Sequence, residues 1–214
     1  EIKECDWSSD VCSSDLNAYG QLGLAYKIET TVPTKIKNLP NIVSVKTAYS
    51  HSLFLDENGQ VWSTGFNNHG QLGLGDMTNR TVPEKINNLP TIISIIATSD
   101  CSLFLDENRQ VWSAGHNDCG QLGLCDKTDI VVPTKIENLT NIVSVKNAYS
   151  HSLFLDVNGQ VWGTGLNNNC QLGLGDRTNR LVPTKIKNLP NIVSVKTAYN
   201  HSLFLDENGQ VWEI

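Results

Sequence analysis

Residues 51–73 have the sequence His-Ser-Leu-Phe-Leu-Asp-Glu-Asn-Gly-Gln-Val-Trp-Ser-Thr-Gly-Phe-Asn-Asn-His-Gly-Gln-Leu-Gly, and this stretch decides the fold because it recurs. Related copies begin at residues 101, 151 and 201, so the period is 50 residues without insertions. Roughly two-thirds of the positions agree between the blocks that begin at His51 and His151. A fixed period of this kind indicates an architecture in which neighbouring units bury each other's apolar faces.

Each unit is predicted to contain four short strands, and none of its segments has the period or the caps of a helix. In the second copy these strands are expected at residues 82–86, 92–96, 102–105 and 110–113. Pro83 cannot donate a ladder hydrogen bond, which places the first strand at a sheet edge. An Asp-Glu-Asn-Gly turn joins the last two strands at residues 56–59 and 206–209, and each of the other two copies departs from it at one position. Apolar residues on both faces of the Ser-Leu-Phe-Leu strand predict sheets that are covered on both sides.

The repeat therefore predicts an all-β chain of stacked four-stranded blades, which is a β-propeller architecture. The blades are expected near residues 32–65, 82–115, 132–165 and 182–213. Trp62, Trp112 and Trp162 are expected to be substantially buried between adjacent blades, because large aromatic side chains carry much of the burial in thin sheets. Trp212 is expected to be more exposed.

A long loop follows the last strand of each unit and combines a fixed frame with variable positions. The Gln-Leu-Gly core, with Gly73, Gly123 and Gly173, predicts a self-packed loop whose Leu72 and Leu74 fill the gap between blades. Positions released from the fold are where a binding surface can be tuned. The variable positions are predicted to contact a partner: Phe66, His69, Met77, His116, Lys127, Leu166, Asn169 and Arg177. Neutral drift on an exposed loop is the alternative interpretation.

The pattern Gly-x-Val-Trp-x-x-Gly-x-Asn-x-x-Gly-Gln-Leu-Gly at residues 59–73, preceded by His-Ser-Leu, resembles the repeat of the regulator of chromosome condensation family. The resemblance extends over residues 17–212. It implies a seven-bladed propeller, of which this sequence would supply about four blades. The departures concern loop geometry: Tyr49, Tyr149 and Tyr199 stand where the family has Gly, and Cys170 replaces a loop Gly.

The function that the resemblance implies is binding. We interpret the chain as a protein-interaction scaffold that binds a partner protein through loops of one propeller face. The resemblance also implies an alternative, guanine nucleotide exchange on a small Ran-like GTPase, which requires only a surface that displaces the nucleotide. Chromatin binding is a less favoured alternative. No catalytic residue and no cofactor is assigned, because the sequence contains no phosphate loop, nucleophile elbow or dinucleotide fingerprint.

Two series of polar residues recur with the blade and are interpreted as structural. His51, His151 and His201 would lie a blade apart, too far to share a metal ion, and Cys101 replaces the histidine in one copy. These histidines are therefore expected to make a hydrogen bond in a blade turn. The carboxylates begin hairpin turns, where Asp bonds the local backbone: Asp56, Asp106, Asp156 and Asp206.

The cysteine positions and the net charge argue against a metal site and against nucleic-acid binding. Cys101, Cys119, Cys125 and Cys170 are scattered one-off substitutions without a CxxC pair, which predicts free thiols and no metal site. The net charge of −6 opposes nucleic-acid binding through the overall charge. No apolar run is long enough to span a membrane and no secretory signal is present, so the expected location is intracellular, in the cytoplasm or nucleus.

One lysine recurs in each repeat beside the Val-Pro dipeptide. These residues, Lys35, Lys85, Lys135 and Lys185, are interpreted as protection of an exposed strand edge, and a local basic patch is the alternative. The sheets at either end of the stack, near residues 32–63 and 182–211, would have uncovered apolar faces. Such faces predict self-association of the chain.

Residues 1–16 do not follow the repeat. The segment Cys-Asp-Trp-Ser-Ser-Asp-Val-Cys-Ser-Ser-Asp-Leu at residues 5–16 resembles the translation of a sequencing-library adapter. We interpret residues 1–16 as non-native and assign no function to Cys5, Cys12 or the Trp7-Ser8-Ser9 tripeptide. The propeller domain is expected to comprise residues 17–214.

Overall fold

The computed structural model describes residues 17–28, 30–198 and 200–214. Within these ranges all regular elements are β-strands, and no helix suited to crossing a membrane is present. The interpretation of residues 1–16 as a non-native segment, with Cys5 and Cys12, falls outside the described residues. The same applies to Tyr199.

The described strands form four antiparallel sheets, which follow one another in chain order and which we call the first to fourth blades. The first blade contains β1 (Ile42–Thr47), β2 (His51–Asp56), β3 (Val61–Gly65) and β4 (Arg80–Lys85). The second contains β5 (Ile92–Thr98), β6 (Cys101–Asp106), β7 (Val111–Gly115) and β8 (Ile130–Lys135). The third contains β9 (Ile142–Asn147), β10 (His151–Asp156), β11 (Val161–Gly165) and β12 (Arg180–Lys185). The fourth contains β13 (Ile192–Thr197), β14 (Ser202–Asp206) and β15 (Val211–Glu213).

The predicted all-β propeller blades are confirmed, but the blade boundaries are shifted by one strand. The Val-Pro strand pairs with the strand before the long loop, with Lys85 opposite Trp62, and so closes a blade instead of opening the next one. The long loop returns the chain to the sheet that it left. The blades therefore span residues 42–85, 92–135, 142–185 and 192–213, and residues 32–37 form no strand. The edge position predicted for Pro83 is correct, because β4 is an outer strand.

The hairpin between the second and third strands of each blade is fixed by its Asp. In the first blade, Asp56 Oδ1 accepts hydrogen bonds from the backbone N–H groups of Asn58 and Gln60, both at 2.9 Å. Gly59 provides the positive φ of 74° that the turn requires. The predicted local bonding of the Asp series is thus confirmed, and bonds from the residue four positions later recur at Asp106, Asp156 and Asp206.

The hydrophobic core lies between the blades. At the junction of the second and third blades, Leu105 and Val111 of one sheet pack with Val145 and Phe154 of the next. The same positions form the cores of the other two junctions: Leu55, Val61, Ile95 and Phe104 at the first, and Leu155, Val161, Val195 and Phe204 at the third. Burial of a side chain of this size stabilises the fold by about 1.5–3 kcal/mol, so the junctions bind the blades to one another.

The Trp series carries less of this core than the sequence predicted. Trp112 and Trp162 pack against the junction clusters but are only partly buried. The indole N–H of Trp112 donates to Asp106 Oδ2 at 3.0 Å, which holds the ring near the hairpin turn. Trp212 is 39% exposed and is more exposed than the preceding Trp residues, as expected. The largest fully buried side chains are instead Phe104, Phe154 and Phe204.

The outer faces of the first and fourth blades are uncovered in the described residues. Val45 is 51% exposed, whereas the equivalent Val145 is 4% exposed between two blades. Val211 is 68% exposed, and its equivalent Val161 is 1% exposed. These faces have the composition of a core, and self-association through them stays a prediction.

Candidate functional site at the loop face

One end of the blade stack collects the long loops. His51, at the start of β2, pairs with Gly65, at the end of β3. The β1–β2 connection and the loop at residues 66–79 therefore leave the sheet at the same end, and the hairpin turns lie at the opposite end. We call this end the loop face, and it comprises residues 17–28, 66–79, 116–129 and 166–179.

A buried Asn gives every long loop the same conformation. Asn67 Nδ2 donates to the carbonyl oxygen of Asp76 at 2.9 Å, and its Oδ1 accepts from the N–H of Leu72 at 2.9 Å. The same pair of bonds is made by Asn17, Asn117 and Asn167. Because these bonds come from one side chain per loop, the other loop positions can vary without changing the backbone.

Each loop also reaches across the junction to the next blade. Ser102 Oγ donates to the carbonyl oxygen of Gln71 at 2.7 Å, and Ser152 makes the equivalent bond to Gln121 at 2.7 Å. Gly73 has a φ of 69°, and a Cβ there would lie 3.0 Å from the Pro133 ring of the next blade. The predicted packing of the loop is confirmed, since Leu72 is buried and Leu74 packs against the first junction core. Gly123 and Gly173 also have positive φ values.

The recurring histidines lie inside these junctions. The Nε2 atom of His51 is 3.0 Å from Ser102 Oγ, and that of His151 is 3.3 Å from Ser202 Oγ. Each serine hydroxyl donates to a backbone carbonyl oxygen, so the imidazole N–H is the donor to it. Burial lowers the pKa of His51 and of His151 to about 4, which keeps both rings neutral near pH 7. His201 is exposed.

Cys101 occupies the corresponding place in the second blade. It is buried, and its Sγ donates to the carbonyl oxygen of His116 at 3.2 Å. Burial, followed by the charges of Asp100 and Asp129, raises the pKa of the Cys101 thiol. Burial and Asp118 raise the pKa of the half-buried Cys119 thiol to about 11. Both thiols are therefore protonated near pH 7 and are weak nucleophiles there.

Four rings form a continuous row across the first junction of the loop face. The ring centroid of Tyr19 is 4.6 Å from that of Phe66, and Phe66 is 6.3 Å from His69. His69 in turn is 4.4 Å from His116, which belongs to the next blade. Three of the eight predicted contact residues are therefore neighbours. Tyr19 is the first-repeat counterpart of His69 and was not among the predicted contact residues.

The remaining predicted contact residues lie elsewhere on the same face. Leu166 is half-buried and Asn169 is exposed, at the positions of the row in the third blade. Met77, Lys127 and Arg177 are exposed on the outer turn of their loops. These five positions extend the variable surface beyond the ring row.

Two histidines and one carboxylate converge at the first junction. His69 Nδ1 is 2.7 Å from Asp129 Oδ2 and 3.1 Å from His116 Nδ1. His116 Nδ1 is 3.4 Å from Asp129 Oδ1, and its other nitrogen, Nε2, is 3.0 Å from Asp118 Oδ1. Among the described residues, His69, His116 and Asp129 form the His, Cys, Asp or Glu group with the spacing of metal ligands.

The residues of this cluster are departures from the repeat. Asn79 and Asn179 occupy the position of Asp129, and Asn68 and Asn168 occupy that of Asp118. Asp129 Oδ1 still accepts a bond from the N–H of Asn117 at 2.9 Å, as Asn79 and Asn179 do in their loops. The substitution thus adds a charge without moving the side chain. Neither carboxylate was predicted from the sequence, although neighbouring copies hold Asn at both positions.

Comparison with known proteins agrees with this architecture. The sequence profile described as the regulator of chromosome condensation (RCC1) repeat matches residues 16–55, 58–105, 110–155 and 158–205, and a second RCC1 repeat profile matches residues 42–71. No curated protein sequence gives a significant match.

Solved structures of the same fold include human WBSCR16, with a TM-score of 0.77 and 22% identity over 92% of this chain and 55% of that one. Yeast RCC1 (Prp20) bound to Kap60 has a TM-score of 0.74 and 26% identity over 87% of this chain and 46% of that one. Prp20p from Saccharomyces cerevisiae, studied with its binding to Gsp1p and histones, gives the same score and identity over 87% and 48%. The chain spans about half the length of these proteins. It belongs to the family of regulator of chromosome condensation (RCC1) repeat proteins.

Proposed function

We propose that the chain is a protein-interaction scaffold that binds a partner protein through the loop face and performs no chemistry of its own. The observation that carries the proposal is the row of Tyr19, Phe66, His69 and His116, which crosses a blade junction on a backbone that every repeat shares. The frame under the row is buried and hydrogen bonded, and the rings above it are partly exposed. A rigid frame with variable side chains suits recognition.

The row has the properties of an interface centre. Half-exposed aromatic side chains provide large contact area and lose little conformational entropy when they are already packed against one another. Asp118 and Asp129 border the row, and Asp100 lies on the same end of the second blade, where the first blade has the neutral residues Asn68, Asn79 and Ser50. We therefore expect the partner to place apolar or aromatic side chains on the row and a cationic side chain beside it.

The relatives support a protein partner without identifying it. Prp20 has been solved bound to Kap60, and Prp20p has been studied for its binding to Gsp1p and histones. The identity of 26% over about half of those chains supports the class of ligand, a protein. An intracellular site of action, in the cytoplasm or nucleus, is part of the proposal, and it fits the free thiols of Cys119, Cys125 and Cys170.

Guanine nucleotide exchange on a small GTPase is the second candidate, and binding of Gsp1p by Prp20p favours it. Exchange would need only a surface that competes with the nucleotide, so it is compatible with a scaffold without catalytic residues. Release of a fluorescent guanine nucleotide from purified small GTPases separates the two candidates. Acceleration that depends on the chain supports exchange, and partner binding without acceleration supports the scaffold alone. Binding to chromatin through DNA is less favoured, because the carboxylates of the second blade repel phosphate groups.

The repeat supplies its own replacement residues for a test of the scaffold. The variant F66L/H69N/H116L gives the row the side chains that the third blade carries at Leu166 and Asn169. We expect an unchanged unfolding midpoint, because the buried loop frame is untouched. The test partners are proteins that the wild-type chain captures and that bind it again after purification, and we expect the variant to lose binding to them. The control is V157E, which copies Glu107 on an exposed hairpin turn at the opposite end of the blades and leaves the row intact. Equal binding of those partners by F66L/H69N/H116L and the wild-type chain would exclude the row as the interface.

A further inference from the structure

The cluster at the first blade junction has a geometry that a partner-binding surface alone does not require. We propose that His69, His116 and Asp129 form a binding site for a divalent transition-metal ion, with Zn²⁺ as the best fit. The sequence predicted no metal site, because its cysteines form no CxxC pair and three of its histidines share one repeat position a blade apart. These three residues occupy different repeat positions and come together only when two blades stack.

The distances between the ligand atoms match a tetrahedral ion. Zinc lies about 2.0–2.1 Å from imidazole nitrogen and carboxylate oxygen, so ligand atoms in a tetrahedron are about 3.3–3.4 Å apart. The two Nδ1 atoms are 3.1 Å apart, and His116 Nδ1 is 3.4 Å from Asp129 Oδ1. The contact of 2.7 Å between His69 Nδ1 and Asp129 Oδ2 has the length of a hydrogen bond and would lengthen on metal binding.

The protons of the cluster leave the required lone pairs inward. Asp118 accepts a hydrogen bond from His116 Nε2 at 3.0 Å, so the Nδ1 atom of a neutral His116 has a lone pair that faces His69. Two N–H groups cannot face each other across 3.1 Å, so the two Nδ1 atoms hold a single proton between them. That proton is on His69 Nδ1, which donates it toward both Asp129 and His116. A metal ion at this point takes the place of that Nδ1 proton, which moves to Nε2 as the His69 ring changes tautomer, and the ion contacts all three groups.

The residues around His69, His116 and Asp129 orient these side chains in the way that supporting residues orient ligands in known metal sites. A carboxylate that accepts the second imidazole N–H, as Asp118 does for His116, orients the ring and raises its basicity. The N–H of Asn117 donates to Asp129, and the rings of Phe66 and His69 lie edge to face with their centroids 6.3 Å apart. The three ligand side chains are 25–33% exposed, so an ion can enter from solvent. Three protein ligands leave one position of a tetrahedral ion for water or for a partner's side chain.

The departures from the repeat are an independent argument. At the second junction the equivalent residues are Cys119, Leu166 and Asn179, which lack the two imidazoles and the carboxylate. His69, His116 and Asp129 are found together where the structure brings their positions into contact. Asp118, the carboxylate behind His116, is likewise Asn in the neighbouring repeats.

The test is zinc titration of the full 214-residue chain against a chromophoric chelator. We expect one Zn²⁺ per chain, with X-ray absorption showing nitrogen and oxygen neighbours and no sulfur. The variants D129N, H69N and H116L use residues that other repeats hold at these positions, so they are expected to fold, and circular dichroism checks this. Each should weaken zinc affinity by about 100-fold or more, since loss of a supporting carboxylate alone costs about 10–100-fold. D118N should show that smaller loss.

Two results would overturn the proposal. The first is a wild-type chain that binds no zinc at micromolar free metal. The second is zinc that binds with sulfur neighbours, or with equal affinity to the folded D129N and H69N variants, which would assign it to Cys119, Cys125 or other thiols. The matched control C119N/C125G replaces two accessible thiols by the residues of neighbouring repeats and should keep the wild-type affinity. Because the titration uses no partner protein, its outcome is independent of the scaffold proposal.

Discussion

The first and second blade junctions have the same backbone and different chemistry. In both, a serine of the later blade donates to a Gln carbonyl oxygen at 2.7 Å, and a buried Asn shapes the loop above it. The first junction carries two imidazoles and a carboxylate on this frame, and the second carries a thiol, an aliphatic side chain and an amide. The difference teaches that the frame fixes where side chains stand, and that each junction is free to acquire its own binding properties.

The largest expected effect concerns what the two junctions share. Phe104 fills the first junction and Phe154 the second, and both are 0% exposed. Because the cores are equivalent, F104A and F154A should each destabilise the chain by about 3–5 kcal/mol, measured by urea unfolding. A difference between the two variants of more than about 1.5 kcal/mol would show that the frame is not shared.

The next effect separates the junctions by pH. His51 is buried at the first junction, and the second has Cys101 at the same position. Burial lowers the pKa of His51 from 6.5 to about 4, so the unfolded chain binds a proton between these values and the folded chain does not. The free energy of unfolding is therefore unaffected by His51 above about pH 6.5. It falls by about 3 kcal/mol as the pH drops from there to 4. His151 adds an equal loss at the third junction.

Urea unfolding between pH 7 and pH 4 measures this loss. The matched variant H51C copies Cys101 and should remove about half of the pH dependence that the two buried histidines produce. Amide hydrogen exchange at pH 4.5 should be faster in β2 than in β6, because β2 begins with His51 and β6 begins with Cys101. An unchanged pH profile in H51C would mean that His51 is not buried as a neutral ring.

The smallest effect concerns backbone conformation in the two loops. Gly75 of the first loop has a φ of 89°, and Cys125 at the same position of the second has a φ of 72°. Both N–H groups donate across the junction at 2.9 Å, to Val131 and Leu181. A side chain in this left-handed region costs about 1–2 kcal/mol, so C125G should stabilise the chain by about 1 kcal/mol and G75C should destabilise it equally. Thermal unfolding should show a higher midpoint for C125G and a lower midpoint for G75C. A lower midpoint in both variants would contradict the equivalence of the loops.

The sequence predicted the strands and turns well because each is a local pattern. The Asp-Glu-Asn-Gly turns and the Ser-Leu-Phe-Leu strands were recognised within a residue or two of their ends. The blade boundaries were wrong, since a period of 50 residues has no marked starting point and only the pairing of Lys85 with Trp62 assigns β4 to its blade. The Trp residues were overvalued because the hydrogen bond to the turn Asp, as in Trp112, holds the indole near the rim.

The candidate site could be predicted only in part. Phe66, His69 and His116 were selected because they vary between copies, which is the property that the site requires. Asp129 was missed because an Asp in an exposed loop is ordinary in a single sequence. Its meaning depends on contact with His69, which lies 60 residues away in the chain, and such a contact follows from blade stacking and not from any local pattern.

The central claim is that the binding properties of each junction lie in a few side chains placed on a common backbone frame. The most direct test transfers those side chains from the first junction to the second. The variant C119H/L166H/N168D/N179D gives the second junction the two histidines and two carboxylates of the first. Zinc stoichiometry by chelator competition should rise from one to two ions per chain, with the fold unchanged by circular dichroism. A folded variant that still binds one ion would contradict the account, because the same side chains on the same frame would then not form the same site.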